Sequence, residues 1–225
     1  TLLKNCYINW LVYNGNVVAL DFVDEKGFRL SHYTPAWIWQ SGFDDLEDNS
    51  DSGFRYKRPM RNKAVLICGS EGWYNYRHQA DILNVYQHLK KNGFSDEDII
   101  LVMRDDIAYH SKNVHQGTIR VAPNGENLYQ DVVLDYRADT LTVNDLVSIL
   151  IGEKSEKLHT VLESNNTDNV LLFWTGHGKS GSFSWLETED SFSASLLRET
   201  LQQMYDKQLY QSMLICTEPC YSGSV

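Results

Sequence analysis

The sequence predicts an α/β domain in which a mostly parallel sheet carries helices on both faces. Short apolar runs recur after residue 63, as is typical of strands buried on both faces. Segments whose apolar residues recur at helical spacing alternate with these runs, and this alternation favours parallel pairing. The chain has 225 residues, of which 42% are hydrophobic, so it can bury a core of this size.

The elements of this domain can be assigned from about residue 59 onward. Strands are predicted over 64–68, 99–103, 170–175 and 213–216. Helices are predicted over 78–92, which Asn92-Gly93 would end, over 142–151, with Thr142 as N-cap and Gly152 as stop, and around Leu197, Leu201 and Met204. Residues 105–140, centred on Pro123-Asn124-Gly125, show little periodicity and are interpreted as a long loop or hairpin insertion, which is often functional.

Residues 1–58 differ from the rest and are interpreted as a β-rich N-terminal appendage or pro-segment. Two β-branched and aromatic runs, 7–13 and 17–23, flank Asn14-Gly15, which is a strong hairpin signal. The acidic stretch 44–51 has the composition of a solvated linker. An inhibitory pro-segment and a fixed β extension of the sheet both remain open.

Composition excludes several classes of function. A net charge of −10 argues against an electrostatic nucleic-acid binder. No apolar run approaches the roughly 18 residues that a membrane span needs. The four cysteines, Cys6, Cys68, Cys216 and Cys220, form no CxxC pair and no metal-ligand pattern with nearby histidines. No metal or organic cofactor is therefore expected.

Polar clusters follow three of the predicted strands, at 69–78, 175–178 and 217–224. In a parallel sheet the active site lies beyond the carboxyl ends of the strands, so these clusters are expected to converge on one cleft. The clusters contain His177 and Cys220. A histidine and a cysteine on neighbouring strand ends can together catalyse acyl transfer through a thioester. Taken alone, a histidine between glycines is also typical of a turn. A cysteine after a strand can also be a small buried residue with no catalytic role, as we expect for Cys68 and Cys216.

Several of these motifs resemble one known family. The segment 69–81, Gly-Ser-Glu-Gly-Trp-Tyr-Asn-Tyr-Arg-His-Gln-Ala-Asp, is similar to the first signature of the legumain (asparaginyl endopeptidase) family. Arg-Asp-Asp-Ile-Ala at 104–108, Pro-Asn-Gly at 123–125 and Asp-Tyr at 135–136 resemble its next segments in order. Thr-Gly-His-Gly at 175–178 resembles its histidine motif, and Glu-Pro-Cys-Tyr-Ser-Gly-Ser at 218–224 its nucleophile motif.

The resemblance implies a caspase-like three-layer sandwich over residues 59–225 and a thiol endopeptidase that cleaves after Asn. It implies Cys220 as nucleophile, His177 as general acid and base, and Asn75 as the residue that orients the imidazole. The backbone N–H groups of Gly178 and Cys220 would form the oxyanion hole. The residues expected to touch the side chain before the scissile bond are Arg77, His78 and Glu218. An Arg77–Glu218 ion pair with a purely structural role is the alternative.

The sequence also departs from the family. Gly176 stands where animal and plant legumains have an aspartate, so ligase-related behaviour that depends on that aspartate is in doubt. Thr-Gly-His-Gly instead resembles the catalytic subunit of the GPI transamidase, a relative that transfers peptides to an amine. Pro219 and Tyr221 replace the usual small residue and acid beside the nucleophile.

The leading hypothesis is therefore a cysteine endopeptidase acting on a peptide or protein substrate. A transamidase or peptide ligase, and a zymogen or pseudoenzyme that only binds peptides, are the alternatives. We expect a secreted, periplasmic or cell-envelope protein, or one in a lysosome-like compartment. The fold is expected to need a further strand and helix after Val225, supplied either by a second chain of the same precursor or by further residues of this chain.

Overall fold

The computed structural model describes the backbone of strands β1 (Tyr7–Tyr13), β2 (Asn16–Val23) and β3 (Arg29–Tyr33), together with residues 61–225. The chain divides into two units, Thr1–Arg58 and Pro59–Val225. In the first unit, β1 pairs antiparallel with β2 and β2 with β3. This pairing confirms the hairpin predicted from the sequence, whereas the expected acidic linker at 44–51 lies outside the described residues.

A five-stranded sheet lies at the centre of the second unit. Its strands are β4 (Asn62–Cys68), β5 (Ile99–Met103), β6 (Tyr136–Arg137), β7 (Asn169–Thr175) and β11 (Ser212–Thr217), in the order β11-β7-β4-β5-β6. Every pairing in this sheet is parallel. The four strands predicted from the sequence are therefore confirmed as one parallel sheet.

Three helices flank the sheet: α1 (Tyr76–Lys91), α2 (Val143–Leu150) and α3 (Ala194–Asp206). Thr142 caps α2 through a reciprocal capping box with Asp145, as the sequence predicts. Ser193 caps α3 by accepting a hydrogen bond from the N–H of Leu196. Helix α1 ends at Asn92, and Gly93 follows it with a φ of +92°, a conformation that suits glycine.

Successive side chains along the strands point to opposite faces of the sheet, so the core has two layers. Val65, Leu172 and Val102 belong to one buried cluster, which includes Leu146 of α2 and Met204 of α3. The intervening strand residues point to the opposite face because side chains alternate along a strand. Helix α1 packs on that face of β4, β5 and β7 with a buried stripe of apolar residues, Ala80, Ile82, Leu83, Tyr86 and Leu89. The result is a three-layer α/β sandwich of the caspase-like type.

The segment between β5 and β6 is irregular, but it has its own internal support. The Asn113 side chain is buried and donates to the backbone carbonyls of Ile107, Ala108 and Thr118. Ile119 and Leu128 are also buried. The predicted loop over 105–140 is too long by a few residues, since β6 and a short 3₁₀ helix, Ala138–Thr140, occupy its last part.

A small antiparallel sheet follows β7 and was not predicted. It consists of β8 (Gly178–Lys179), β9 (Ser182–Ser184) and β10 (Ser191–Ser193). Trp174 of β7 is 1% exposed and packs on Phe183 of β9 and Phe192 of β10, with ring centroids 5.3 and 5.1 Å apart. This aromatic contact joins the small sheet to the end of β7.

We expect Trp174→Ala to lower the free energy of unfolding by about 3–5 kcal/mol, because truncating a buried aromatic side chain leaves a cavity. Urea denaturation would measure this. Tyr205→Ala, which removes a side chain that is 67% exposed, is the matched control and should change stability by no more than about 0.5 kcal/mol. Equal effects of the two substitutions would contradict the packing role assigned to Trp174.

Candidate active site

Three loops leave the carboxyl ends of the neighbouring strands β4, β7 and β11. The ends stay in register beyond the strands, since Gly69 N–H donates to Thr175 O at 2.9 Å and Glu218 N–H donates to Trp174 O at 2.9 Å. The loops 69–75, 176–177 and 218–224 therefore start side by side. The polar clusters predicted from the sequence meet at this edge of the sheet.

The loop after β7 passes very close to the loop after β4. Gly176 has a φ of +146°, and a Cβ at this position would lie 3.2 Å from Ser70 Oγ and 3.3 Å from the carbonyl carbon of Gly69. A side chain here would combine a strained backbone with crowding. This accounts for glycine at the position where the resembling family has an aspartate.

His177 is oriented by Asn75, the residue just before helix α1. Its Nε2 lies 2.7 Å from Asn75 Oδ1, while Asn75 Nδ2 donates to Glu71 O at 2.7 Å. Because a backbone carbonyl can only accept, Nδ2 must face Glu71 and Oδ1 must face the imidazole. The neutral ring of His177 therefore carries its proton on Nε2, which leaves Nδ1 as the acceptor on its other side.

Asn75 occupies the N-cap position of α1, yet its side chain makes no capping hydrogen bond. Asparagine is among the best N-cap residues, and a side-chain cap contributes about 1 kcal/mol. The helix gives up this interaction, and the amide serves His177 instead. Because Asn75 does not cap the helix and contacts His177 across the site instead, it is a candidate functional residue.

The nucleophile candidate lies against the residue that follows His177. A Cβ on Gly178 would lie 2.3 Å from Cys220 O and 2.9 Å from Pro219 Cβ, so only glycine fits. Cys220 is exposed, and Tyr221 after it has a φ of +61°, which is uncommon for a bulky residue. The sharp turn is held by Ser224, whose backbone N–H donates to Tyr221 O and whose Oγ accepts from Gly181 N–H. It presents the thiol to solvent.

The other described cysteines have a different character. Burial raises the pKa of the Cys68 thiol to about 12 and that of the Cys216 thiol to about 11. A protonated, buried thiol is a poor nucleophile. Among residues 61–225, Cys220 is thus the exposed thiol, while Cys6 lies outside the described residues.

His78 lies beside His177, with the two rings edge to face and their centroids 5.0 Å apart. Its Nδ1 is 2.8 Å from Ser70 Oγ, and its side chain is almost fully buried. Burial, with smaller effects of Arg77 and His177, lowers the pKa of His78 to about 3. His78 is therefore a neutral wall of the site, and the substrate contact expected from the sequence stays a prediction.

His177 itself is only partly covered. Burial lowers its pKa, the Arg77 guanidinium lowers it further, and Glu187 opposes both effects. The imidazole consequently loses its proton more readily than a free histidine. This favours the neutral form that can accept a proton from a thiol.

Arg77 and Glu218, which the sequence paired as substrate contacts, are not an ion pair in residues 61–225. Arg77 is exposed and donates from Nη1 to Tyr74 O at 3.2 Å. Glu218 instead lies close to Asp81, which follows Arg77 by one turn of α1. Burial, with the nearby Glu218, raises the pKa of the Asp81 carboxyl well above its usual range. The structural ion pair considered from the sequence is therefore wrong.

Sequence reasoning missed several residues that support this site. Asp81 was part of a recognised motif, and its signal is the spacing of four residues from Arg77 on one helix. Arg104 contacts Glu71 and Asp106 contacts Gly72 of the loop 69–75, but these contacts join distant parts of the chain. No spacing rule connects such residues in advance.

Neither a metal site nor a membrane-spanning helix is found among the described residues. Those residues include no group of three or more His, Cys, Asp or Glu placed to hold a metal ion. No helix among them is both long and apolar enough to cross a membrane.

Comparison with known proteins identifies the family to which this chain belongs. The model of the Peptidase C13 family matches residues 62–225. The vacuolar-processing enzyme delta-isozyme of Arabidopsis thaliana is 38% identical over 184 residues, which cover 80% of this chain and 38% of that protein. Legumains of Bos taurus and Homo sapiens are 36% and 35% identical, each over 80% of this chain and 40% of their own length.

The chain thus spans about two fifths of the length of the curated relatives that it matches. The match covers the whole sheet and all three loops of the site. It confirms the resemblance first recognised in the ordered motifs of the sequence. This chain belongs to the Peptidase C13 family.

Proposed function

We propose that this protein is a cysteine endopeptidase in which Cys220 and His177 cleave peptide bonds through a thioester. One observation carries the proposal: His177 is held in a single tautomer by Asn75, and Gly178 directly after it packs on the carbonyl of Cys220. A histidine and an exposed thiol are thereby placed on adjoining turns, with the free ring nitrogen available for proton transfer.

The reaction follows from these positions. Cys220 Sγ attacks the scissile carbonyl carbon, and its proton passes to Nδ1 of His177. The resulting imidazolium gives this proton to the leaving amine as the C–N bond breaks, which leaves a thioester on Cys220. Water then attacks the thioester, with His177 accepting its proton, and the free thiol is restored. Proton transfer by a positioned group typically contributes 10²–10⁴-fold in rate.

The backbone around Gly178 and Cys220 supplies the oxyanion stabilisation in this proposal. The absence of a side chain at Gly178 lets the two backbone segments approach closely, and their N–H groups would donate to the developing oxyanion. Such a donor typically contributes about 10²–10³-fold in kcat. Glycine at 178 therefore serves both the packing and the chemistry.

The pocket for the side chain before the scissile bond is formed by Arg77 and Glu218, with Asp81 behind Glu218. An asparagine carboxamide offers one acceptor and two donors. Arg77 would donate to its oxygen, and Glu218 would accept from its nitrogen. Asp81 keeps its proton because burial raises its pKa, so it can donate to Glu218 and hold that carboxylate in place. We propose asparagine selectivity on this basis.

Transfer to an amine, as in a transamidase or ligase, is the second candidate. It uses the same thioester, and only the acceptor differs. The observation that favours it is Gly176, whose backbone conformation and close contacts would strain the aspartate of the legumain pattern. Product masses measured with an added amine nucleophile separate transfer from hydrolysis. A peptide-binding module without catalysis is disfavoured because it has no use for an exposed thiol.

A peptide or protein substrate is the partner that this activity requires. We propose that the protein acts outside the cytosol, in a secreted, envelope or vacuole-like setting, in line with the name of its vacuolar-processing relative. The second chain expected from the sequence stays a prediction. Among the described residues, β11 has β7 as its only neighbour in the sheet.

The first test is hydrolysis of matched fluorogenic peptides with Asn, Asp, Lys or Arg before the scissile bond. We expect turnover of the Asn peptide and its loss, by at least about 10³-fold, in Cys220→Ala, because the nucleophile is removed. Cys216→Ala, which removes a half-buried thiol, is the matched control and should retain activity. Selective cleavage after Lys or Arg would refute the pocket but not the mechanism.

Cleavage after Asp should depend steeply on pH. A protonated Asp side chain resembles the Asn carboxamide, whereas its carboxylate would face the carboxylate of Glu218. We expect the ratio of Asp to Asn cleavage to fall about tenfold per pH unit above about pH 4, near the pKa of an ordinary Asp. The Asn peptide on the same protein is the internal control. A ratio that stays flat from acidic to neutral pH would be incompatible with this pocket.

The titration of His177 tests the electrostatics of the site directly. We expect its pKa to lie below the ordinary value of 6.5 and to rise in Arg77→Gln, because a nearby cation disfavours the imidazolium. Histidine NMR of the Cys220→Ala protein would measure both values. Arg120→Gln is the control, since Arg120 contacts the separate loop at Gly125. A pKa unchanged by Arg77→Gln would mean that Arg77 does not act on His177.

A further inference from the structure

The residue that orients His177 is itself held by a chain of contacts that leads out of the site. Asn75 Nδ2 donates to the backbone carbonyl of Glu71 at 2.7 Å. The Glu71 carboxylate is fixed at both oxygens, since Oε2 accepts from Arg104 Nε at 3.1 Å and Oε1 accepts from Glu187 N–H at 3.2 Å. The position of the Glu71 carbonyl, and with it the Asn75 amide, therefore depends on how this carboxylate is anchored.

Arg104 is well placed to be that anchor. It directly follows β5, so its backbone is fixed by the sheet. Its guanidinium is only 24% exposed and lies between two carboxylates, with Nε 3.1 Å from Glu71 and Nη1 3.0 Å from Asp139. An arginine held on two sides is a more rigid support than an exposed ion pair, because fewer side-chain conformations remain open to it.

A second contact from the same strand end supports the same loop. Asp106 Oδ2 accepts from Gly72 N–H at 2.8 Å, and Oδ1 accepts from Gln79 Nε2 at 2.6 Å. Glu71 and Gly72 are thus both tied to the segment just after β5. The loop 69–75 has only a short 3₁₀ turn, Trp73–Asn75, as regular structure of its own. The conformation of this loop is therefore determined largely by contacts with residues outside it.

We propose that Arg104 is a positioning residue for the peptidase reaction, which acts through Glu71 and Asn75 on the orientation of His177. Arg104 touches neither the thiol nor the imidazole. Its loss would let the Glu71 carbonyl shift, and the Asn75 amide would then hold His177 in more than one orientation. A misplacement of about 1 Å in a catalytic group can cost 10²-fold in rate. The inference rests on the function proposed above.

The alternative is that Arg104 contributes only to stability through its two ion pairs. A double-mutant cycle separates the two roles, because an effect that passes through Asn75 must disappear when Asn75 is already lost. We expect Arg104→Met to lower kcat about tenfold with little change in KM. In the Asn75→Ala background the same substitution should change kcat less than about twofold.

Arg137→Met is the matched control. Arg137 pairs with the same Asp139, at 3.3 Å, but makes no contact with Glu71. It should leave kcat within about twofold of the unmodified protein, as expected for an exposed pair. Arg104→Lys should restore part of the lost activity, since a lysine can still pair with Glu71 as a point charge. An equal loss from Arg104→Met in both backgrounds would overturn the proposal.

A second measurement does not require activity, and it includes a second variant in case Arg104→Met folds poorly. In Cys220→Ala protein, ¹⁵N shifts of the neutral His177 ring report which nitrogen carries the proton. We expect the Nε2–H tautomer alone, and a mixture of tautomers when Glu71→Gln weakens the anchor from the other side. An unchanged tautomer in both Arg104→Met and Glu71→Gln would overturn the positioning role. Inactivity of the unmodified protein together with the expected tautomer shift would reject the peptidase function and keep the anchor.

Discussion

The site depends on one constraint, the parallel pairing of β7 with β4 on one side and β11 on the other. This pairing runs without a break from Asn169 to Thr175 along β4, so the strand ends are in register. Backbone hydrogen bonds continue this register into the loops. Two glycines then bring the loops into contact, since Gly176 packs on the loop after β4 and Gly178 packs on the turn that carries Cys220. The loop that carries His177 and the turn that carries Cys220 are held against each other in this way.

Several residues of the site adopt conformations or environments that lower the stability of the fold but suit the proposed chemistry. Asn75 leaves helix α1 without a side-chain cap, and Tyr221 adopts a left-handed backbone conformation. Burial lowers the pKa of the His78 imidazole and raises the pKa of the Asp81 carboxyl, so it disfavours the charged form of both. Each of these features has a cost, which the buried core of the sheet has to offset. Their concentration at one edge of the sheet is what marks this edge as functional.

Much of this arrangement could be predicted from local sequence patterns. The strand Ile99–Met103 and the cap at Thr142 depend on neighbouring residues, and both were found where the sequence placed them. The strands β8, β9 and β10 were missed because strands of two or three residues are too short to show a recognisable alternation. The contact of Arg104 with Glu71 was missed because it joins positions 33 residues apart through the fold. Local physics thus predicts the elements, and the tertiary contacts decide which polar residues support the chemistry.

Covalent labelling tests most directly whether Cys220 and His177 act as one reactive unit. The protein would be exposed to a peptide electrophile ending in Asn, and the modified cysteine would be identified by peptide mapping and mass spectrometry. The account predicts a single label on Cys220, none on Cys68 or Cys216, and a large loss of labelling rate in His177→Ala. Labelling of Cys220 at an undiminished rate in His177→Ala would contradict it.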